Sequence, residues 1–137
     1  MEQGECVDDG TILGTEILWR FVHPSQLTRD KLTGRVKPTS GAFRESSHKM
    51  SVDIASMTCL ADARRRNPGK FTARFSVETV RGFGKSVTQK LDPDPDNPAH
   101  AIVCPKLTPT EARGLSDALN VWADPPADDS IPPSIQE

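Results

Sequence analysis

Proline decides where this chain can be regular. It carries 12 prolines in 137 residues. Each locks φ, removes a backbone donor and pushes the preceding residue toward extended geometry. Regular structure is thereby confined to short segments. His23-Pro24 closes one, Asn67-Pro68-Gly69 a second and Pro105 a third, while residues 92–98 (DPDPDNP) form a rigid acidic loop.

Inside these segments the patterning is mostly that of strands. Residues 16–22 (EILWRFV) are β-branched and aromatic. Met50, Val52 and Ile54 alternate with polar neighbours, as do Phe71, Ala73, Phe75 and Val77. Residues 86–91 read as a further strand and 99–104 as a buried one. Residues 25–30 suggest a helical turn, 31–35 a turn, and 36–43 an irregular stretch or edge strand, since Pro38 and Gly41 interrupt it. A short helix is predicted from Leu60 to Arg66, capped by Ser56 or Thr58. A helical turn over 77–83 would end at Gly84.

The sharpest local signal is Thr108-Pro109-Thr110-Glu111. Thr108 is a capping-box N-cap, Pro109 occupies the first helical position and Glu111 reaches back to the cap. That helix should run to about Leu119, with Ala112, Leu115, Ala118 and Leu119 inward. Four or five strands with two or three short helices, in no regular alternation, predict one small α+β domain with a mixed or antiparallel sheet. The domain should span 11–122, between a flexible acidic arm (1–10) and a disordered, acidic, proline-rich tail (123–137).

Hydrophobic residues make up 35% of the chain, enough for a modest core. No stretch approaches the roughly 18 apolar residues of a membrane span, and the start of the chain is acidic where a signal peptide would be basic and then apolar. The three cysteines, Cys6, Cys59 and Cys104, are odd in number and widely spaced, with no CxxC. They read as reduced thiols of a cytoplasmic protein, with Cys59 and Cys104 as core fillers.

Charge is strongly segregated behind a net −2. Residues 1–19 carry −5, residues 20–90 carry +10 and residues 91–137 carry −7. Such asymmetry speaks to partners rather than fold. The basic middle points to an anionic partner: nucleic acid, a nucleotide or an acidic protein surface. Alternatively, it is a solvated face that the acidic ends neutralise.

Few residues are candidates for chemistry. Arg20 and His23 stand at the end of the first strand and His100 at the start of a late one, where a phosphate grip and an acid–base group would sit. The competing reading of His23 is a loop histidine that caps backbone groups. Thr39 and Ser40 beside Gly41 could form a phosphate nest, although no P-loop lysine and no GxSxG are present. Arg64, Arg65 and Arg66 could grip phosphates or simply complement a helix dipole. His100 and Cys104, about 13 Å apart along a strand, do not make a metal site. Asp92, Asp94 and Asp96 lack the glycine and glutamate of a calcium loop. No metal or cofactor is expected.

Trp19-Arg20-Phe21-Val22-His23-Pro24, Ser40-Gly41-Ala42-Phe43, Met50-Ser51-Val52-Asp53 and Asn97-Pro98-Ala99-His100-Ala101 together resemble a group of small bacterial proteins of unassigned function. The likeness covers about residues 17–107 and implies no activity. The first-strand arginine followed by Thr-Ser is also similar to ADP-ribosyltransferase-like folds, which use a late glutamate at a strand end. Glu78 is the acid in a plausible position for it, because Glu111 is committed to a helix cap.

Three functional expectations follow. The first is a cytoplasmic, non-enzymatic module whose basic middle meets an anionic partner and whose acidic tail competes for that face. The second is a small enzyme, ADP-ribosyltransferase-like or nuclease-like, acting on a nucleotide or RNA with Arg20, His23, Ser40 and His100 in one pocket. The third is a structural subunit of a protein assembly, which an exposed Trp19 or Trp122 would suggest. None involves a membrane.

Overall fold

The alternating segments pair into one twisted sheet. The computed structural model describes residues 6–44, 49–89, 97–118 and 121–124. In chain order its strands are β1 (Ile17–Val22), β2 (Leu27–Arg29), β3 (Val36–Pro38), β4 (Met50–Ile54), β5 (Phe71–Ser76), β6 (Ser86–Gln89), β7 (His100–Cys104) and β8 (Trp122–Asp124). The α-helices are α1 (Leu60–Arg66), α2 (Val77–Gly82) and α3 (Pro109–Ser116). Six strands form the main sheet in the order β6-β7-β4-β1-β5-β8, every neighbouring pair antiparallel, and β2 and β3 form a separate ribbon. The α+β class holds, and the sheet is larger than the four or five strands predicted.

The extra strands come from two places. Of the predicted 25–30 turn only Ser25 and Gln26 are helical, within a 3-10 turn at Pro24–Gln26; Leu27–Arg29 is extended. Trp122–Asp124 pairs with β5 although three residues are too few to show a period. The folded part therefore reaches Asp124, two residues into the stretch expected as tail. Residues 125–137, and the loop residues 92–96 with their three aspartates, lie outside the described residues.

One face of the sheet carries the core. Leu18 and Val22 on β1, Met50, Val52 and Ile54 on β4, Ala101 and Val103 on β7, Ala73 and Phe75 on β5 and Val87 on β6 are all buried. Val77 and Val80 of α2, Ala112 and Leu115 of α3, and Ala42 and Phe43 of a 3-10 turn at Ser40–Phe43 join the same cluster. Phe43 is fully buried and meets Phe75 edge-on at 6.0 Å between ring centroids. Ser116 donates to the Pro38 carbonyl at 2.6 Å, tying α3 to the ribbon.

The capping box of α3 forms as the sequence predicts: the Thr108 hydroxyl accepts from the Glu111 N–H at 3.2 Å, and Glu111 Oε1 accepts from the Thr108 N–H at 2.9 Å. The helix ends at Ser116, so Ala118 lies outside it and is exposed, and Leu119 lies outside the described residues. For α1 the predicted caps do not hold. Cys59 is its N-cap without a side-chain bond, and the Thr58 hydroxyl accepts from Arg66 instead. Gly84 does end α2, at φ 84°, where a side chain would be strained.

The cysteines differ from expectation. Cys6 and Cys104 are joined as a disulfide across a sequence separation of 98, while Cys59 is exposed rather than a core filler. Spacing alone hid the pair, because the partners meet only once β7 is in the sheet. The cytoplasmic reading, which leaned on reduced thiols, loses that support. Among the described residues no helix is long and apolar enough to cross a membrane. Part of the predicted arm is also docked: the Val87 N–H donates to Asp8 and the Asp9 N–H donates to the Val87 carbonyl, both at 2.9 Å. These bonds cover the outer edge of β6, which would otherwise offer unpaired donors and acceptors.

The acidic ends fold back onto the basic middle. Asp8 pairs with Arg81, Glu111 with Lys85, Asp117 with Lys37 and Asp124 with Arg64. The side-chain bonds from Arg64 hold the Asp124 carboxyl below the usual carboxylate range. Burial pushes Glu111 up, but the Thr108 N–H and Lys85 outweigh it and leave Glu111 lowered as well. A carboxylate lowered in the folded state contributes stability above its unfolded value, and loses it as pH falls through the folded value. Thermal melts taken from neutrality down to about pH 3 should therefore show stability falling through the acid range. Asp124→Asn should shallow that decline; an unchanged slope would contradict the assignment.

Candidate functional site

The ladder between β1 and β4 lasts for two residue pairs, Leu18–Ile54 and Trp19–Asp53. Past them Arg20 replaces strand pairing. Its Nη1 donates to the Ser51 carbonyl at 2.8 Å and its Nε to the Ala42 carbonyl at 2.9 Å. A cleft of about 510 Å3 opens at this point. Arg20, Phe21 and His23 line it from β1 and its exit, Ser51 and Asp53 from β4, Arg66, Asn67 and Lys70 from the end of α1 and the turn after it, and Asn97 and His100 from the start of β7.

Asp53 anchors this arrangement. It is 2% exposed, and both of its oxygens are engaged. Arg66 Nη2 donates to Oδ2 at 3.1 Å and Asn97 Nδ2 donates to Oδ1 at 2.9 Å. The same Arg66 nitrogen also donates to the Thr58 hydroxyl at 3.0 Å. Asn97 Oδ1 in turn accepts from the Ala99 N–H at 3.2 Å. The network spans β4, α1 and the entry to β7, and it fixes the wall of the cleft. Arg66 Nε is buried without a hydrogen-bond partner, a costly state for a donor unless something else meets it.

His23 caps the 3-10 turn at Pro24–Gln26. Its Nδ1 accepts from the Ser25 N–H at 3.1 Å, and Gln26 Oε1 accepts from the His23 N–H at 2.9 Å. An occupied Nδ1 lone pair places the proton of the neutral ring on Nε2. His23, held by this cap, lines the cleft. His100 is half-buried and sits in register opposite Asp53 on the neighbouring strand. Lys70 is exposed and makes no ion pair among the described residues. Arg20, Arg66 and Lys70 face a single carboxylate among the described lining residues, and that carboxylate is already bound.

The structure brings Arg20, His23 and His100 together and leaves Ser40 out. Ser40 lines a separate hollow of about 330 Å3 beside Lys31, Lys37 and Arg113. Thr39 starts its 3-10 turn without a side-chain bond, and its N–H donates to the Gln26 carbonyl at 2.9 Å. The arginine triplet splits, because successive helix residues point in different directions. Arg64 forms a two-pronged pair with Asp124 at 2.8 and 2.9 Å, Arg65 lies 3.6 Å from Asp62, and only Arg66 enters the cleft. Glu78 sits in the first turn of α2, its N–H donating to the Gly14 carbonyl, and is absent from the lining. Trp19 and Trp122 are both half-buried rather than exposed, and Trp122 Nε1 donates to the Val36 carbonyl at 2.9 Å.

Reading the residues one by one misses Phe21, Gln26, Asp53, Asn67, Lys70 and Asn97. One signal was available: a lone acid inside the apolar alternation Met50-Ser51-Val52-Asp53-Ile54 must be paired if it is buried. Three of the four segments that carry the resemblance also supply much of the cleft wall, including Asp53 and Asn97. No family model, curated protein or solved structure matches the chain.

Proposed function

We propose that the chain is a binding module for a phosphate-bearing anion, which it holds in the cleft between β1, β4 and the end of α1. One observation carries this reading. The acidic ends pair with Lys37, Arg64, Arg81 and Lys85, yet Lys70, which has no ion pair among the described residues, lines one cleft with His23 and Arg66, and the single carboxylate among the described lining residues is already satisfied. Donors that remain unspent around a positive hollow favour an anion. Arg20 adds charge, while two of its nitrogens hold the walls. The cap on His23 weighs against the enzymatic alternative. A general base needs a free lone pair aimed at substrate, and the lone pair of His23 accepts from Ser25.

Calorimetric titration with inorganic phosphate tests the proposal. Binding should weaken with added salt, and Lys70→Ala or His23→Ala should each reduce affinity by about tenfold or more, as expected for losing a hydrogen bond to a charged group. Affinity that ignores salt and both substitutions would overturn it.

A further inference from the structure

We infer that the anion is the phosphate of a nucleotide whose base stacks on Phe21; the inference rests on the anion-binding reading above. Phe21 is the phenyl ring among the described residues of the cleft wall. It is half-buried but is not among the partly buried hydrophobics packed against the core, which are Val36, Phe71, Phe83 and Trp122. Strand alternation explains this. Leu18 and Val22 point into the core, so Phe21 stands on the opposite face. An aromatic ring that leaves the core and borders a cationic hollow has the layout of a base-stacking platform.

Two amides in the same wall have spare capacity. Gln26 uses its Oε1 on the His23 N–H, and among the described residues its Nε2 has no partner. Asn67 uses its Nδ2 on the Ala63 carbonyl, and its Oδ1 likewise has none. One donor and one acceptor are what the edge of a base requires. A volume of about 510 Å3 falls within the roughly 300–1,000 Å3 of small-ligand sites, which suits a mononucleotide better than a folded nucleic acid.

The test compares AMP, GMP, CMP and UMP with ribose 5-phosphate and inorganic phosphate, by calorimetry on the full chain. At least one nucleotide should bind about tenfold or more tighter than ribose 5-phosphate, the margin expected from stacking one base. Phe21→Leu should erase that margin, so that the nucleotide binds no more tightly than ribose 5-phosphate to the same variant. Equal affinity for nucleotides and ribose 5-phosphate, with phosphate still bound, would overturn the inference and spare the anion reading. Binding of neither phosphate nor ribose 5-phosphate would overturn both. Should Phe21→Leu fail to fold, the wild-type ratio still decides.

Discussion

Asp53→Ala should destabilise the fold by about 3 kcal/mol, the scale expected when one partner is removed from a buried ion pair. The reason is local. Asp53 is almost fully enclosed, and its carboxylate is the acceptor for both Arg66 and Asn97. Without it the Arg66 guanidinium, already carrying one unpartnered nitrogen, loses its counter-charge in a side chain that is 14% exposed. Asp53→Asn retains an oxygen for one of the two donors, so it should cost less. Chemical denaturation at neutral pH measures both. An Asp53→Ala variant within 1 kcal/mol of wild type would mean that the network decorates the sheet rather than holding it.

The second large effect concerns the disulfide. Replacing Cys6 and Cys104 together with serine should lower the melting temperature by roughly 10 °C, from about 3 kcal/mol of lost constraint on the unfolded chain. The separation of 98 residues puts this bond among the long-loop cases, where the entropic contribution is greatest. Its effect should also be visible locally. With the bond gone, Asp8 and Asp9 are held to β6 and α2 only by hydrogen bonds and the Arg81 ion pair. Hydrogen exchange at the Val87 amide should then accelerate more than at Val52 in the sheet interior. Equal melting with and without reductant would show that the pairing contributes nothing to the fold.

What the sequence discloses here divides by range. Apolar alternation in the sequence locates β4 and β5, and β-branched and aromatic content locates β1, because each runs for five or six residues. The Thr108 capping box is legible because all of its chemistry lies within four residues. The β2–β3 ribbon pairs across one short turn, and only its β3 end was legible, as an edge strand; β8 is three residues long and takes its pairing from β5, distant in the chain, so no local pattern marks it. The disulfide stayed hidden for the same reason. Arg20, His23 and His100 could be chosen as strand-end polar residues, and they meet in one cleft. Ser40 could not be excluded from it by spacing, and Asp53 was hidden by its place in an apolar strand. The charge segregation was plain in composition. That it resolves into ion pairs between the acidic ends and the basic middle, with Arg20, Arg66 and Lys70 left to line the cleft, depends on the fold.

The cleft at the parting of β1 and β4 is proposed to bind a phosphate-bearing anion. Backbone amide NMR during titration with inorganic phosphate tests it most directly. Saturable shifts are expected at Phe21, His23, Asn67, Lys70 and His100, and they should be lost in Lys70→Ala. Shifts confined to Lys31, Ser40 and Arg113 around the second hollow, or no saturable shift at any position, would contradict it.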